Sequence, residues 1–168
     1  MSLLINKTDI AQYRQISNSV KEVVINQFIE DAELLDLKPL LGEFLYSDIK
    51  KNPEAYKDLL NKKSYTHNGF EVYSPGLKRV LIDFAYARYA MHGSQTDTPF
   101  GLVQKNGQDS TPIGRSDKKE TYKLHQQTAM QYWGEVFNYL NRNSALYELW
   151  GKGNCANKRS FRFNHIGK

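Results

Sequence analysis

Four carboxylates crowd one short stretch of this chain: Glu30, Asp31, Glu33 and Asp36. Oxygen ligands at such close spacing are what a hard divalent cation requires. On a helix, however, these positions spread around most of the circumference instead of converging, so a solvated charged face is the expectation. The four histidines, His67, His92, His125 and His165, contain no pair spaced i, i+3 or i, i+4, the spacing that aims two imidazoles at one metal. Cys155 is the single cysteine, which excludes an internal disulfide and a Cys-rich metal site. As a nucleophile it would need a base beside it, and the irregular basic stretch around it suggests none. A phosphate-cradling Gly-Lys-Ser/Thr loop, a Gly-x-Gly-x-x-Gly unit, a His-Glu-x-x-His pair and a Gly-x-Ser-x-Gly elbow are all missing from the sequence. The expectation is a protein that is not an enzyme, with no catalytic residue, no cofactor and no metal.

The C-terminal "GKGNCANKRSFRFNHIGK" holds five Lys/Arg and no acid. Lys158, Arg159 and Arg162 could neutralise phosphates while Phe161 and Phe163 stack on exposed bases, which would make a nucleic-acid-binding tail. The same composition suits docking into an acidic protein groove through aromatic and arginine anchors. No recognised nucleic-acid module accompanies the tail, so protein docking through Arg159, Phe161, Arg162 and Phe163 is the preferred reading and nucleic-acid binding the alternative. Charge is polarised along the whole chain: residues 1–60 carry a net −3 and residues 61–168 a net +8. Such polarity suits stacking on an oppositely charged partner.

The elements that must position these groups read as helices. At 168 residues with 40% hydrophobic and 24% charged residues, the chain suits one domain, residues 1–150, with a basic tail over 151–168. Aromatics reach 12%, with eleven Tyr, a lean toward interfaces. No apolar run is long enough to cross a bilayer, and Met1 to Asn6 is too short for a signal peptide, so neither a membrane partner nor export by that route is expected. After "SLLIN", Thr8 or Asp9 begins a brief helix. From Ser19 onward Val24, Ile25, Phe28, Ile29, Ala32 and Leu35 recur at spacings of three and four, an amphipathic pattern. Asp36 and Pro39 mark a fresh start, leading to Leu41, Phe44, Leu45 and Ile49, with Gly42 inside the helix. "NPEAYKDLL" gives a short helix with Asn52 as its cap. Asn68-Gly69 in "SYTHNGFEVY" is a hairpin signal spanning residues 64–73, which puts Tyr65, His67, Phe70 and Val72 on one face. "GLKRVLIDFAYARYAMH" is apolar nearly all round and should be the central helix, ended by Gly93. Asp117 with Glu120 forms a capping-box-like start to a long helix reaching about Asn141, lined by Tyr122, Ala129, Trp133, Val136 and Leu140.

Between the last two helices lies "TPFGLVQKNGQDSTPIGRSD". A connection of that length without helical periodicity is uncommon in a compact domain unless it has a function. It reads as an extended arm over residues 98–116. Phe100, Leu102, Val103 and Ile113 each favour burial by about 1.5–3 kcal/mol. The flank "QDSTP" is too polar to complete a hairpin with "TPFGLV", which points to strand addition on a neighbouring subunit, with an arm folded over its own subunit as the alternative, and makes those four residues candidate interface positions. The fold expected is mainly α: a helical bundle with a small β-hairpin, an extended arm and a C-terminal tail.

The order "VINQFIEDAELLDLKPLLGEFLYSDI", short helix, Asn-Gly hairpin, "GLKRVLIDFAYARYAMHG", "TPFGLV" arm and long helix resembles the head-tail connector, or adaptor, proteins of tailed bacteriophages. The likeness is nearest to connector-like proteins of crAss-like and other Bacteroidales phages. The resemblance covers roughly residues 3–142 and involves no catalytic motif. It implies a homo-oligomeric ring, commonly of twelve copies, in the neck of the virion at the head-tail junction, assembled in the host cytoplasm. Such a ring lies under the portal, contacts the portal protein and the next neck or tail ring protein, and lines the passage through which genomic DNA travels without sequence-specific recognition. Extended loops and C-terminal segments engage neighbours in that family. The hairpin and the longer arm depart from the simplest adaptors.

Overall fold

A computed structural model of the chain describes residues 2–93, 95–98, 101–104 and 114–152; between 94 and 113 only strand backbone is described. The protein is mainly α with a small antiparallel hairpin. α1 (Lys7–Ala11) starts with a reciprocal cap, in which the Asn6 side chain accepts from the Asp9 N–H and the Asp9 carboxylate accepts from the Asn6 N–H. α2 (Glu22–Asp31) continues without a break into a π-helical turn (Ala32–Leu37) and α3 (Lys38–Leu41). Across that turn the Lys38 N–H reaches the Glu33 carbonyl, five residues back.

The extra residue in the π-turn rotates everything after it. Leu35, expected inside, is 60% exposed, whereas Leu37 is buried. Pro39, expected to open a new helix, instead follows the wide turn inside one continuous rod. Proline has no N–H to give, and a widened turn is one way a helix accommodates that loss. The true break comes at Gly42, whose φ of 83° and ψ of 157° interrupt the rod before α4 (Glu43–Lys51).

A 3-10 turn (Pro53–Tyr56) and α5 (Lys57–Leu60) follow, and Asn52 makes no side-chain cap bond there. β1 (Lys63–His67) and β2 (Phe70–Ser74) form the expected hairpin, with Asn68 at φ 52° and Gly69 at φ 81°. Both positive values are what a type I′ turn demands. The register pairs Tyr65 with Val72 and His67 with Phe70. The Tyr65 ring meets Tyr139 edge-on at 4.9 Å, and Arg142 Nη1 donates to Tyr65 Oη at 2.9 Å, which seats the hairpin on the long last helix.

Gly76 opens α6 (Leu77–His92) at φ 79° and ψ 158°. An added Cβ there would fall 2.4 Å from the Asn61 carbonyl carbon, so both backbone shape and space call for glycine. α6 is the central helix, as expected, with Leu77, Val80, Leu81, Ile82, Phe84, Ala85 and Ala87 buried. Its Tyr86 meets His125 of α7 (Arg115–Arg142), while Tyr89 meets Phe28 of α2 and Arg88 pairs with Asp36. At 100° per residue Arg88 stands about 160° round α6 from Tyr86, while Tyr89 is only about 60° from it, so α2 with its π-turn and α7 pack on different sides of α6 that meet at the Tyr86–Tyr89 pair.

Two expectations are corrected at the far end. Residues 95–98 and 101–104 pair antiparallel as β3 (Gln95–Thr98) and β4 (Gly101–Gln104), so the arm is not a single extended strand. The partner of "GLVQ" is the upstream "QTDT". α7 begins at Arg115 with Gly114 as N-cap and no side-chain cap bond, so the Asp117–Glu120 capping box does not form. Asp117 instead sits in the first turn, where a negative charge complements the helix end. Along α7, Ala129, Trp133, Val136, Tyr139 and Leu140 are buried.

Candidate functional site

Two carboxylates are drawn fully into the interior. Asp83, in the middle of α6, is 0% exposed. Its Oδ1 accepts from Arg14 Nε at 2.9 Å and Arg14 Nη2 at 2.6 Å, and lies 3.1 Å from His125 Nδ1 on α7. The imidazole tautomer protonated at Nδ1 can donate to it. Arg79, one turn earlier on α6, approaches Asp83 Oδ2 to 3.5 Å without a hydrogen bond, and its guanidinium lies over the rings of Tyr13 at 4.3 Å and Tyr132 at 4.8 Å. Arg79 Nη2 also donates to Tyr132 Oη at 3.2 Å. One buried anion thereby ties the segment after α1, the centre of α6 and the middle of α7 together. A cleft of about 410 Å³ lies alongside, lined among others by Tyr13, Lys62, Lys78, Arg79 and Tyr132.

Glu33 is the second, 1% exposed in the π-turn. Oε1 accepts from the Leu4 N–H at 2.6 Å; Oε2 takes Lys50 Nζ at 2.5 Å and Tyr46 Oη at 3.3 Å. Burial first, and the Glu33 charge second, push the Tyr46 phenol up to about 12. Lys50 also donates to the Ser2 carbonyl, so this site fastens the N-terminal strand of chain onto α4. The expected solvated acidic face is therefore half wrong. Glu30 and Asp31 are exposed, but Glu33 is buried and Asp36 is paired with Arg88 Nε at 2.9 Å, because the π-turn rotates the last two acids inward.

In both clusters charged groups bond to one another and so fasten elements together, while Asp83 Oδ2 and Arg79 Nη1 are left without a hydrogen-bond partner among the described residues. Among the described residues no group of His, Cys, Asp and Glu is placed to hold a metal ion, and no helix is long and apolar enough to cross a membrane. Exposed apolar side chains stand on several elements. Val23, Leu34 and Leu35 on the α2–π rod, Phe44 on α4, Phe70 at the hairpin tip, and Leu124, Met130 and Phe137 on α7 are all exposed.

Of the residues singled out from sequence, Leu102 and Val103 fall in β4, opposite Asp97 and Thr96. Phe100, Ile113, Arg159, Phe161, Arg162 and Phe163 lie outside the described residues, as do Cys155, Lys158 and His165. His67 is on β1, His92 ends α6, and only His125 joins a charged cluster. Sequence reasoning missed Arg14, Lys50, Arg79 and Asp83. A signal for Asp83 was available in "VLIDFAYA": a charge at the centre of a helix apolar all round is tolerated only when paired.

Residues 37–160 match a model described as a family of unknown function, DUF6712. The chain belongs to that family. Comparison with curated proteins and with solved structures finds no significant match. The DUF6712 match begins at the last residue of the π-turn and takes in α3 to α7 with both hairpins. Lys50, Arg79, Asp83 and His125 fall inside the DUF6712 region, whereas Arg14 and Glu33, their partners from the N-terminal part, precede it.

Proposed function

We propose that this DUF6712 protein is a structural head-tail connector of a tailed bacteriophage, a subunit that assembles into a ring beneath the portal and lines the DNA passage. The observation that carries the reading is the exterior. A core closed around α6 leaves Val23 at 69%, Leu35 at 60%, Leu124 at 59% and Phe70 at 75% exposed. Apolar side chains standing in water on several elements suit a subunit whose surface is completed by neighbours. The order of elements that resembles phage adaptors supports the same reading, and so does the charge polarity along the chain. Phe100, Leu102, Val103 and Ile113 remain the proposed arm contacts, and Arg159, Phe161, Arg162 and Phe163 the proposed docking residues for the portal or the next ring.

Native mass measurement and electron-microscopy class averages of the purified chain, alone and mixed with a portal ring, test the proposal. Closed rings or a stoichiometric portal complex are expected. A chain that stays monomeric under both conditions overturns it. If that monomer instead binds DNA with an affinity falling steeply with salt, the tail is a nucleic-acid arm. Replacing residues 94–113 with a short Gly/Ser linker should leave the helical core folded and impair ring formation.

A further inference from the structure

Two exposed stripes run along two outer helices with the same spacing. On the α2–π rod, Val23, Gln27, Glu30 and Leu34 recur at intervals of four, three and four. On α7, Lys123, Gln127, Met130, Gly134, Phe137 and Asn141 recur at four, three, four, three and four. Alternation of three and four is the repeat that lets one helix pack along another at a shallow angle. The first stripe points away from α6, opposite Ile25 and Ile29, and the second runs along the flank of α7 beside its buried Val136 and Leu140.

Among the described residues nothing explains Gly134. It lies in the interior of a 28-residue helix, where glycine costs about 1 kcal/mol relative to alanine. Its φ is not positive, and a Cβ added there would meet nothing within 4 Å. Such a gap is useful only to something approaching from outside. Beside it Phe137 is 44% exposed, yet its ring is held against Trp133 at 6.3 Å and Trp150 at 5.8 Å. A pre-positioned aromatic next to a missing side chain makes a knob beside a hole. Charge selects the occupant: Glu22, Glu30 and Asp31 are exposed on the α2–π rod and residues 22–37 hold no base, whereas the stripe side of α7 carries Lys119 and Lys123, with Glu120 and Glu135 further round the helix.

We infer that the outer stripe of α7 packs against the α2–π stripe of a second copy of this chain, with Phe137 and Gly134 of one subunit meeting the Leu34 region of the next. The pairing rests on the connector reading and adds the faces that join the subunits. The two stripes differ and lie on different helices, so the contact is head-to-tail. Such contacts propagate until they close into a ring.

Two full-length variants, Leu34→Asp and Phe137→Asp, each disable one stripe and leave the other intact. Each alone should be monomeric by sedimentation, with association at least about a hundredfold weaker than wild type, because an unpaired carboxylate is forced into a dry seam. Mixed together they should form a one-to-one heterodimer, since one good stripe of each type remains. Circular dichroism and thermal unfolding verify that the variants fold; if either does not, the Gln substitutions at the same positions replace it. Wild-type assembly that both variants retain overturns this pairing and leaves the connector reading standing. Monomeric variants whose mixture forms no heterodimer overturn the head-to-tail arrangement. Loss of wild-type assembly on neutralising Lys158, Arg159 and Arg162 to Gln, with both stripes intact, places the tail on the acidic stripe and also overturns it. A wild-type chain monomeric both alone and with a portal ring overturns both readings.

Discussion

The inner and outer faces of α2 and α7 obey the same helical period and meet opposite fates. Inward, Ile25 and Ile29 on one helix and Val136 and Leu140 on the other are sealed against α6, and the charges that enter that interior are paired through Asp83, Arg14 and His125. Outward, Val23, Leu34 and Met130 stand exposed and Phe137 is half-exposed with its ring against Trp133 and Trp150, in stripes of the same spacing. The difference teaches that periodicity marks faces able to pack, while only the number of neighbours a helix has tells which face its own domain uses. α6 has neighbours on several sides and is apolar all round; α2 packs on α6 and α1, and α7 on α6 and the hairpin, which leaves each an outer face.

If that contrast holds, interior and exterior substitutions must separate stability from assembly. The largest loss is expected from Asp83→Ala, which leaves the partly buried Arg14 and Arg79 without their fully buried anion. Breaking a buried pair in this way costs about 3–5 kcal/mol, measurable by urea or guanidinium unfolding. Gly76→Ala should follow, since a side chain at φ 79° is strained by about 1–3 kcal/mol before its collision with Asn61 is counted. On the outside the sign reverses. Gly134→Ala should raise the stability of the subunit by about 0.5–1 kcal/mol while weakening self-association, a combination that an interior glycine would not show. Phe137→Ser should change unfolding by no more than about 0.5 kcal/mol more than an ordinary surface substitution does, because its ring is only edge-packed on two tryptophans.

The interior also predicts an alkaline limit. Burial and Glu33 raise the Tyr46 phenol to about 12, and burial with the bond to Asp48 raises Tyr56 to about 12. A raised folded pKa means the fold favours the neutral phenol. Its contribution is therefore complete below the ordinary value near 10 and is lost as pH rises through about 12. Unfolding free energy should stay level in mildly alkaline buffer and fall across that window. Tyrosine absorbance should report late ionisation that Tyr46→Phe removes in part.

Much of the architecture was legible because its signals are local. Asn68-Gly69 specifies a two-residue turn, and that turn sets the register of Tyr65 against Val72. The apolar run of α6 and the stripe of α7 likewise announce themselves. The second hairpin escapes the sequence reading because its first strand, "QTDT", lies just before the arm, so only the polar downstream flank is weighed as a partner for "GLVQ" and, being rejected, points to a neighbouring subunit. The π-turn was invisible for a different reason. It arises where a rod must keep packing on α6 while carrying Pro39, and no short motif distinguishes that from two helices.

By itself, the order of residues determined which segments are helical, where the Asn-Gly turn falls and which helix is central, since each depends on backbone preference or on period within one segment. Only the tertiary structure decided that Glu33 and Asp83 are buried anchors, that Leu34 and Leu35 face outward, and that two stripes of matching spacing are left exposed. Those facts depend on which element stands beside which. A helix turned by a single extra residue keeps its composition and changes every neighbour it meets.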